Sequence, residues 1–204
     1  MPMNAITELT MRYPALSECL TDIRQAFDIL LSCYKANGKV LVCGNGGSAA
    51  DADHIVGELL NKFKKKRKLD STIAAQLPAE LRDKLVGALP AISLVAMSAT
   101  LSSISNDSNW EVAFAQQLYG LGNRGDVLIA ISTSGNSTNC LNAALVAHAK
   151  GIRVIALTGK GGGKLAALSD VSISVPETET FKIQELHLPI YHALCADLED
   201  ALFS

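Results

Sequence analysis

The sequence predicts an α/β fold, a doubly wound five-stranded parallel sheet flanked by helices, and two observations predict it. Five short runs, 39–43, 92–97, 127–131, 154–157 and 171–175, are apolar, rich in β-branched residues and bounded by Gly, Asp or Ser. Uninterrupted apolar runs of that length belong to strands buried on both faces. Stretches of helix length separate the runs, and strand alternating with helix demands right-handed crossovers that leave helices on both sides of a parallel sheet. In such sheets ligands sit beyond the carboxyl ends of the strands, so the loops that follow the runs are where function is sought.

Each element has its own signal. Residues 20–35 carry Ile23, Phe27, Leu30, Leu31 and Tyr34 at helical spacing and stop at Asn37-Gly38, which places a helix before the first strand. Further helices are expected over about 49–63, up to Lys150 after the third strand, and over 182–202. Residues 1–38 read as an N-terminal helical extension, and 64–90 as an inserted segment. That segment opens with Lys64-Lys65-Lys66-Arg67-Lys68, a solvated surface, and contains 78–85, a proline-started amphipathic helix. The whole chain, 1–204, reads as one domain.

Composition narrows the function classes. At 204 residues, 49% hydrophobic and 19% charged, the chain is sized for one ordinary core. A formal charge of -2 and a pI near 6.1 give no general attraction to nucleic acid, so an anionic ligand has to be held locally. Met1–Tyr13 lacks the pattern of a signal peptide, and no apolar stretch reaches membrane-spanning length, which predicts a cytoplasmic protein without a membrane partner. The five cysteines are scattered without a C-x-x-C pair and read as buried reduced thiols.

Two loops carry the ligand chemistry. Gly44-Asn45-Gly46-Gly47-Ser48 follows the first strand; its glycines let the backbone approach an anion, and Ser48 either caps the next helix or offers its hydroxyl to the ligand. It is neither a dinucleotide fingerprint nor a Walker A loop, since the last glycine of the one and the Gly-Lys of the other are missing. Ser132-Thr133-Ser134-Gly135-Asn136-Ser137 places four hydroxyls at a helix N-terminus, where the dipole and free N–H groups already favour a phosphate. A third loop, 158–163, is expected to be a plain flexible connection.

Two side-chain groups are candidates for chemistry. His54 and Glu58 stand four residues apart on one helix face, a spacing that suits a surface pair, a divalent metal or a substrate contact. Gln184 and His192 lie eight residues apart on the last helix, separated by about 12 Å of rise and about 80° of rotation. A bend at Pro189, or donation from two subunits, would ease their joint use.

Cys43-Gly44-Asn45-Gly46-Gly47-Ser48-Ala49-Ala50-Asp51-Ala52, Asn106-Asp107, the block 125–137 and Ile183-Gln184-Glu185 occur in one order across the chain. In these blocks the sequence resembles the bacterial phosphoheptose isomerases of the SIS superfamily over essentially its whole length. The resemblance implies conversion of sedoheptulose 7-phosphate to D-glycero-D-manno-heptose 7-phosphate, the first step toward activated heptose for surface polysaccharide, by a cytoplasmic zinc-dependent homotetramer. It makes His54, Glu58, Gln184 and His192 the zinc ligands, with Glu58 and His192 as catalytic acid and base. It assigns Ser48, Ser132, Thr133, Ser134 and Ser137 to the phosphate and Asn45 and Asp107 to sugar hydroxyls, with Gly46, Gly47, Glu58 and Gln184 also touching the phosphosugar. Sites shared between subunits are expected.

The chain departs from the family pattern at Lys62, where an arginine is usual, and at Phe181, where several members have Asp; a lysine keeps the charge without the bidentate geometry. Two other readings remain at this point. One is isomerisation of another phosphosugar. The other is a non-enzymatic SIS adaptor that binds the bacterial replication initiator, a group that has lost the helix glutamate and terminal-helix histidine retained here as Glu58 and His192.

Overall fold

The computed structural model describes residues 4–203; Met1–Met3 and Ser204, which the expected extension and domain bounds include, lie outside the described residues. Strands β1 (Val40–Gly44), β2 (Ala91–Ser93), β3 (Val127–Ile131), β4 (Arg153–Thr158) and β5 (Val171–Ser174) form one parallel sheet in the order β2-β1-β3-β4-β5. All five fall on the apolar runs. β2 is shorter than its run because, as the edge strand, it pairs only with β1, through Ala91, Ile92 and Ser93, before the chain turns away.

The sheet is buried on both faces, and alternate residues divide between two cores. Val40, Val42, Ile129 and Ile131 pack on one side against α1 (Ala5–Arg12), α2 (Leu20–Lys35), α3 (Gly47–Leu60) and α10 (Thr180–Leu202). Leu41, Cys43, Leu128 and Ala130 face the other side. There they meet α6 (Ser98–Asp107), α7 (Ala113–Leu121), α8 (Thr138–Lys150) and α9 (Gly163–Ala167). The five cysteines are free and buried, as expected.

Local signals set several boundaries. α2 ends where Asn37 takes a positive φ of 59°, and α8 ends at Gly151 with φ 70°, the left-handed stop that both residue types tolerate. α10 runs unbroken through Pro189. In the 64–90 segment, α4 (Ser71–Ala74) and α5 (Ala79–Arg82) are single turns. The helix expected over 78–85 stays this short because Leu81 and Leu85 are 46% and 42% exposed; without a surface to bury its apolar face, a short helix is not held by its own hydrogen bonds.

Two buried carboxylates on α10 tie the ends of the chain to the fold. Asp197 accepts the N–H groups of Ala5 and Ile6 at 2.7 and 3.1 Å, a negative charge at the positive end of α1. Glu199 accepts from Phe63, Lys64 and Lys65 N–H at 2.9, 2.7 and 3.0 Å and from Arg67 Nε at 2.7 Å. The Arg67 guanidinium, fully buried, donates onward to the carbonyls of Leu59 and Glu58. Among the described residues no helix is long and apolar enough to cross a membrane.

Candidate active site

From β1 the chain steps outward to β2, and from β3 it steps the other way to β4, so the carboxyl ends of β1 and β3 flank a topological switch point. A crevice opens there in sheets of this order. Here it is a cavity of about 290 Å³, lined by Asn45 and Gly46 of the β1–α3 loop, by Gly47 and Ser48 at the start of α3, by Ser132, Thr133 and Ser137 from the β3–α8 loop, and by Thr180 and Gln184 of α10. Both sequence-predicted loops therefore face one space.

The loops are shaped for an anion. Gly46 has φ 57°, and a Cβ at Gly47 would stand 2.5 Å from the side-chain amide nitrogen of Gln184, so a larger residue there would displace the Gln184 amide from this loop. The hydroxyls of Ser132 and Ser137 lie 3.0 Å apart. Ser137 occupies the N-cap of α8 yet makes no capping hydrogen bond, which leaves its hydroxyl to Ser132 and to a ligand. We expect Ser137→Ala to weaken phosphosugar binding about tenfold, the scale of one hydrogen bond to a charged group, and to leave the melting midpoint nearly unchanged. Calorimetric titration with thermal melting separates the two; a larger loss of stability than of binding would restore a capping role.

Ser134 and Asp107 lie outside the residues that line the cavity. Ser134 Oγ accepts from Asn136 N–H at 3.2 Å, and Asp107, exposed at the end of α6, accepts from the Asn106 amide at 2.9 Å. Asn45, expected to orient sugar hydroxyls, exchanges two amide hydrogen bonds with Asn139 of α8, at 2.9 and 2.8 Å, and so ties the two loops together.

The third loop is not the plain connection expected. Gly161, Gly162 and Gly163 all have positive φ, and the loop packs on Gly135, whose own φ is 64°. A Cβ at Gly135 would overlap the carbonyl of Gly162, while Leu165 N–H donates to Gly135 O at 2.9 Å and Gly159 N–H to Thr133 O at 2.9 Å. Gly135→Ala should therefore cost more than the ~1 kcal/mol of a strained φ alone, because the added methyl meets backbone. A lower melting midpoint together with weaker phosphosugar binding is the expected reading.

Farther along α3 and α10, His54, Glu58 and His192 converge, with one donor atom from each all within 4.8 Å of one another. His54 Nε2 stands 3.0 Å from Glu58 Oε1 and 3.4 Å from His192 Nε2. Two imidazoles and a carboxylate with one possible ligand atom each this close together suit a divalent cation bound by N and O ligands. His192 is held below the usual histidine range by burial first and then by the neighbouring His54, which favours its neutral, electron-donating form. Gln184, the fourth residue expected here, has its amide against Gly47 in the cleft. A second cavity, of about 410 Å³, lies between α1 and α10 and also reaches His192.

Behind His54 stand residues that sequence reasoning did not single out. Tyr191 Oη is 2.9 Å from His54 Nδ1 and donates to Asp51 Oδ1 at 3.2 Å, and Asp51 Oδ2 is buried without a partner. The spacing of Asp51 and His54, three residues on one helix, was the available signal; Tyr191 precedes His192 and turns about 100° away from it, so only the crossing of the two helices shows its place.

Comparisons with known proteins give the family. The family model for the SIS domain matches residues 7–88 and 85–159. The phosphoheptose isomerase of Rhodospirillum rubrum is 41% identical over 189 residues, 93% of this chain and 90% of that protein. That of Thiobacillus denitrificans is 44% identical over 183 residues, 88% of this chain and 83% of that protein. The solved phosphoheptose isomerase of Neisseria gonorrhoeae superposes with a TM-score of 0.77 at 36% identity, covering 93% of this chain and 91% of that one. The Francisella tularensis enzyme superposes at 0.74 with 34% identity, covering 98% and 100%. On this shared length and identity, the chain is a sugar-phosphate isomerase and belongs to the phosphoheptose isomerases of the SIS-domain family.

Proposed function

We propose that the protein interconverts sedoheptulose 7-phosphate and D-glycero-D-manno-heptose 7-phosphate through an enediol. One observation carries the reading: α3 and α10 each line the anion cleft near their N-terminal ends and supply the His54–Glu58–His192 cluster farther along. Gly47 and His54 are seven residues apart on α3, a span of about 10 Å, so a phosphate at the helix start leaves the far end of the sugar toward the cluster. The relatives' own names supply the seven-carbon substrate class.

The phosphate is held by the hydroxyls of Ser48, Ser132, Thr133 and Ser137, which line the cleft, and by N–H groups at the starts of α3 and α8. Glu58 removes a proton from C1 of the ketose and returns it at C2, while His192 moves the hydroxyl proton between O1 and O2, so substrate and product keep the same atoms. Glu58 has two carboxylate oxygens; Oε1 faces His54, which leaves the other for the proton. A metal at this cluster, zinc on the donor set, would steady the negative charge that develops on the enediol oxygens. His54, Glu58 and His192 would hold it; Gln184, whose amide lies against Gly47 in this chain, would be the fourth ligand by donation from a second subunit. Asp107 and Asn45 serve the sugar hydroxyls in this reading. The active form is a cytoplasmic homotetramer with sites shared between subunits, and the product feeds heptose synthesis for surface polysaccharide. The chain 1–204 acts as one domain, its 64–90 segment a surface addition.

Metal removal tests the reading. Dialysis against a chelator should abolish conversion of sedoheptulose 7-phosphate and added zinc should restore it, while full activity of the stripped protein would refute the metal's part.

A further inference from the structure

We propose that Asp51 and Tyr191 are positioning residues, a hydrogen-bond chain that fixes the imidazole of His54 with Nε2 presented to Glu58 and His192. This rests on the reading of that cluster as a metal site. Tyr191 has one hydroxyl proton and two partners, Asp51 Oδ1 at 3.2 Å and His54 Nδ1 at 2.9 Å. A carboxylate only accepts, so the hydroxyl donates to Asp51 and its oxygen accepts from Nδ1–H of His54. The reverse arrangement would leave the Asp51 carboxylate and the phenol oxygen facing each other with no proton between them. Asp51 has no cheap alternative, because its Oδ2 is already buried without a partner and losing the remaining bond would strand the whole group.

An imidazole protonated at Nδ1 keeps its lone pair on Nε2, the atom that stands 3.0 Å from Glu58 Oε1 and 3.4 Å from His192 Nε2. With its lone pair there, His54 can join Glu58 and His192 around one cation, the three donor atoms all lying within 4.8 Å of one another. The Tyr191 ring also braces both imidazoles edge-on, with centroids 5.4 Å from His54 and 5.0 Å from His192. Hydroxyl and ring thus act separately, the first on the tautomer of His54 and the second on where both rings sit. Partners behind a ligating histidine fix its tautomer and raise its basicity, and their loss costs about 10- to 100-fold in metal affinity.

Tyr191→Phe keeps the ring and removes the hydroxyl. Zinc affinity is measured by competition with a chromophoric chelator at fixed pH, beside the melting midpoint of the metal-free protein and the visible spectrum of the cobalt-loaded one. We expect Tyr191→Phe to bind zinc about 10- to 100-fold more weakly, with a changed cobalt spectrum, beyond the lower metal-free midpoint that a stranded Asp51 carboxylate brings. Asp51→Asn should weaken binding in the same direction and carries the test if Tyr191→Phe does not fold; the double variant should bind no more weakly than Tyr191→Phe alone. Affinity within twofold of wild type in both single variants overturns the positioning role. Equal zinc affinity of wild type and His54→Ala would instead overturn the metal site itself, and this inference with it.

Discussion

Glu58→Gln is expected to lower turnover by about 10²- to 10⁴-fold with the melting midpoint unchanged, the range that removal of a general acid or base produces. The substitution keeps the length and shape of a half-buried side chain on α3 whose contacts are to His54 and the cluster, so the fold has little to lose. On the proposed roles, what disappears is the basicity that takes a proton from carbon, together with the carboxylate among three converging donors. His192→Gln should show a loss of the same order. Full activity in either variant, measured in a folded protein, would remove the role assigned to it.

Glu199→Gln is expected to destabilise the protein by about 3–5 kcal/mol, the cost of leaving one partner of a buried ion pair uncompensated. Both side chains of the Arg67–Glu199 pair are 0% exposed. The carboxylate also collects three backbone N–H groups where α3 has ended, so the substitution strands a buried guanidinium and replaces one accepting carboxylate oxygen by a donating amide NH2. Burial alone would raise the Glu199 carboxyl, but the hydrogen bonds from Phe63, Arg67, Lys64 and Lys65 outweigh it and hold it below the ordinary 4.5. With the folded value below the unfolded one, the stabilisation is complete above pH 4.5 and is lost as the pH falls through the lower folded value. Chemical denaturation across that acid window should show a shallower pH dependence for Glu199→Gln than for wild type; parallel curves would contradict the account.

Strands and ligand loops were legible because each is written in consecutive residues. Val127–Ile131 is apolar throughout and buried throughout, and Ser132–Ser137 follows it without a gap, so the strand fixes where the loop emerges. The α2 stop at Asn37-Gly38 was equally local. What the sequence withheld depends on packing between distant segments. The glycines of 161–163 look like slack until Gly135 is seen against Gly162. The tie between Asn45 and Asn139, 94 residues on, has no local signal either. His54, Glu58 and His192 come together within one chain because α3 and α10 cross, and the same crossing brings Tyr191 behind His54. The basic run at 64–68 was expected to be a solvated surface throughout, but Arg67 turns inward to Glu199 and is the exception. No pattern of charge along the sequence distinguishes it from its lysine neighbours.

The most direct test of the proposed activity is conversion of sedoheptulose 7-phosphate by the zinc-loaded protein, followed in the anomeric proton region by NMR with Glu58→Gln as control. The account predicts new aldose anomeric signals with wild type and none above background with the control. A folded, metal-loaded wild type that leaves the substrate unchanged, or a control that converts it equally well, would contradict it.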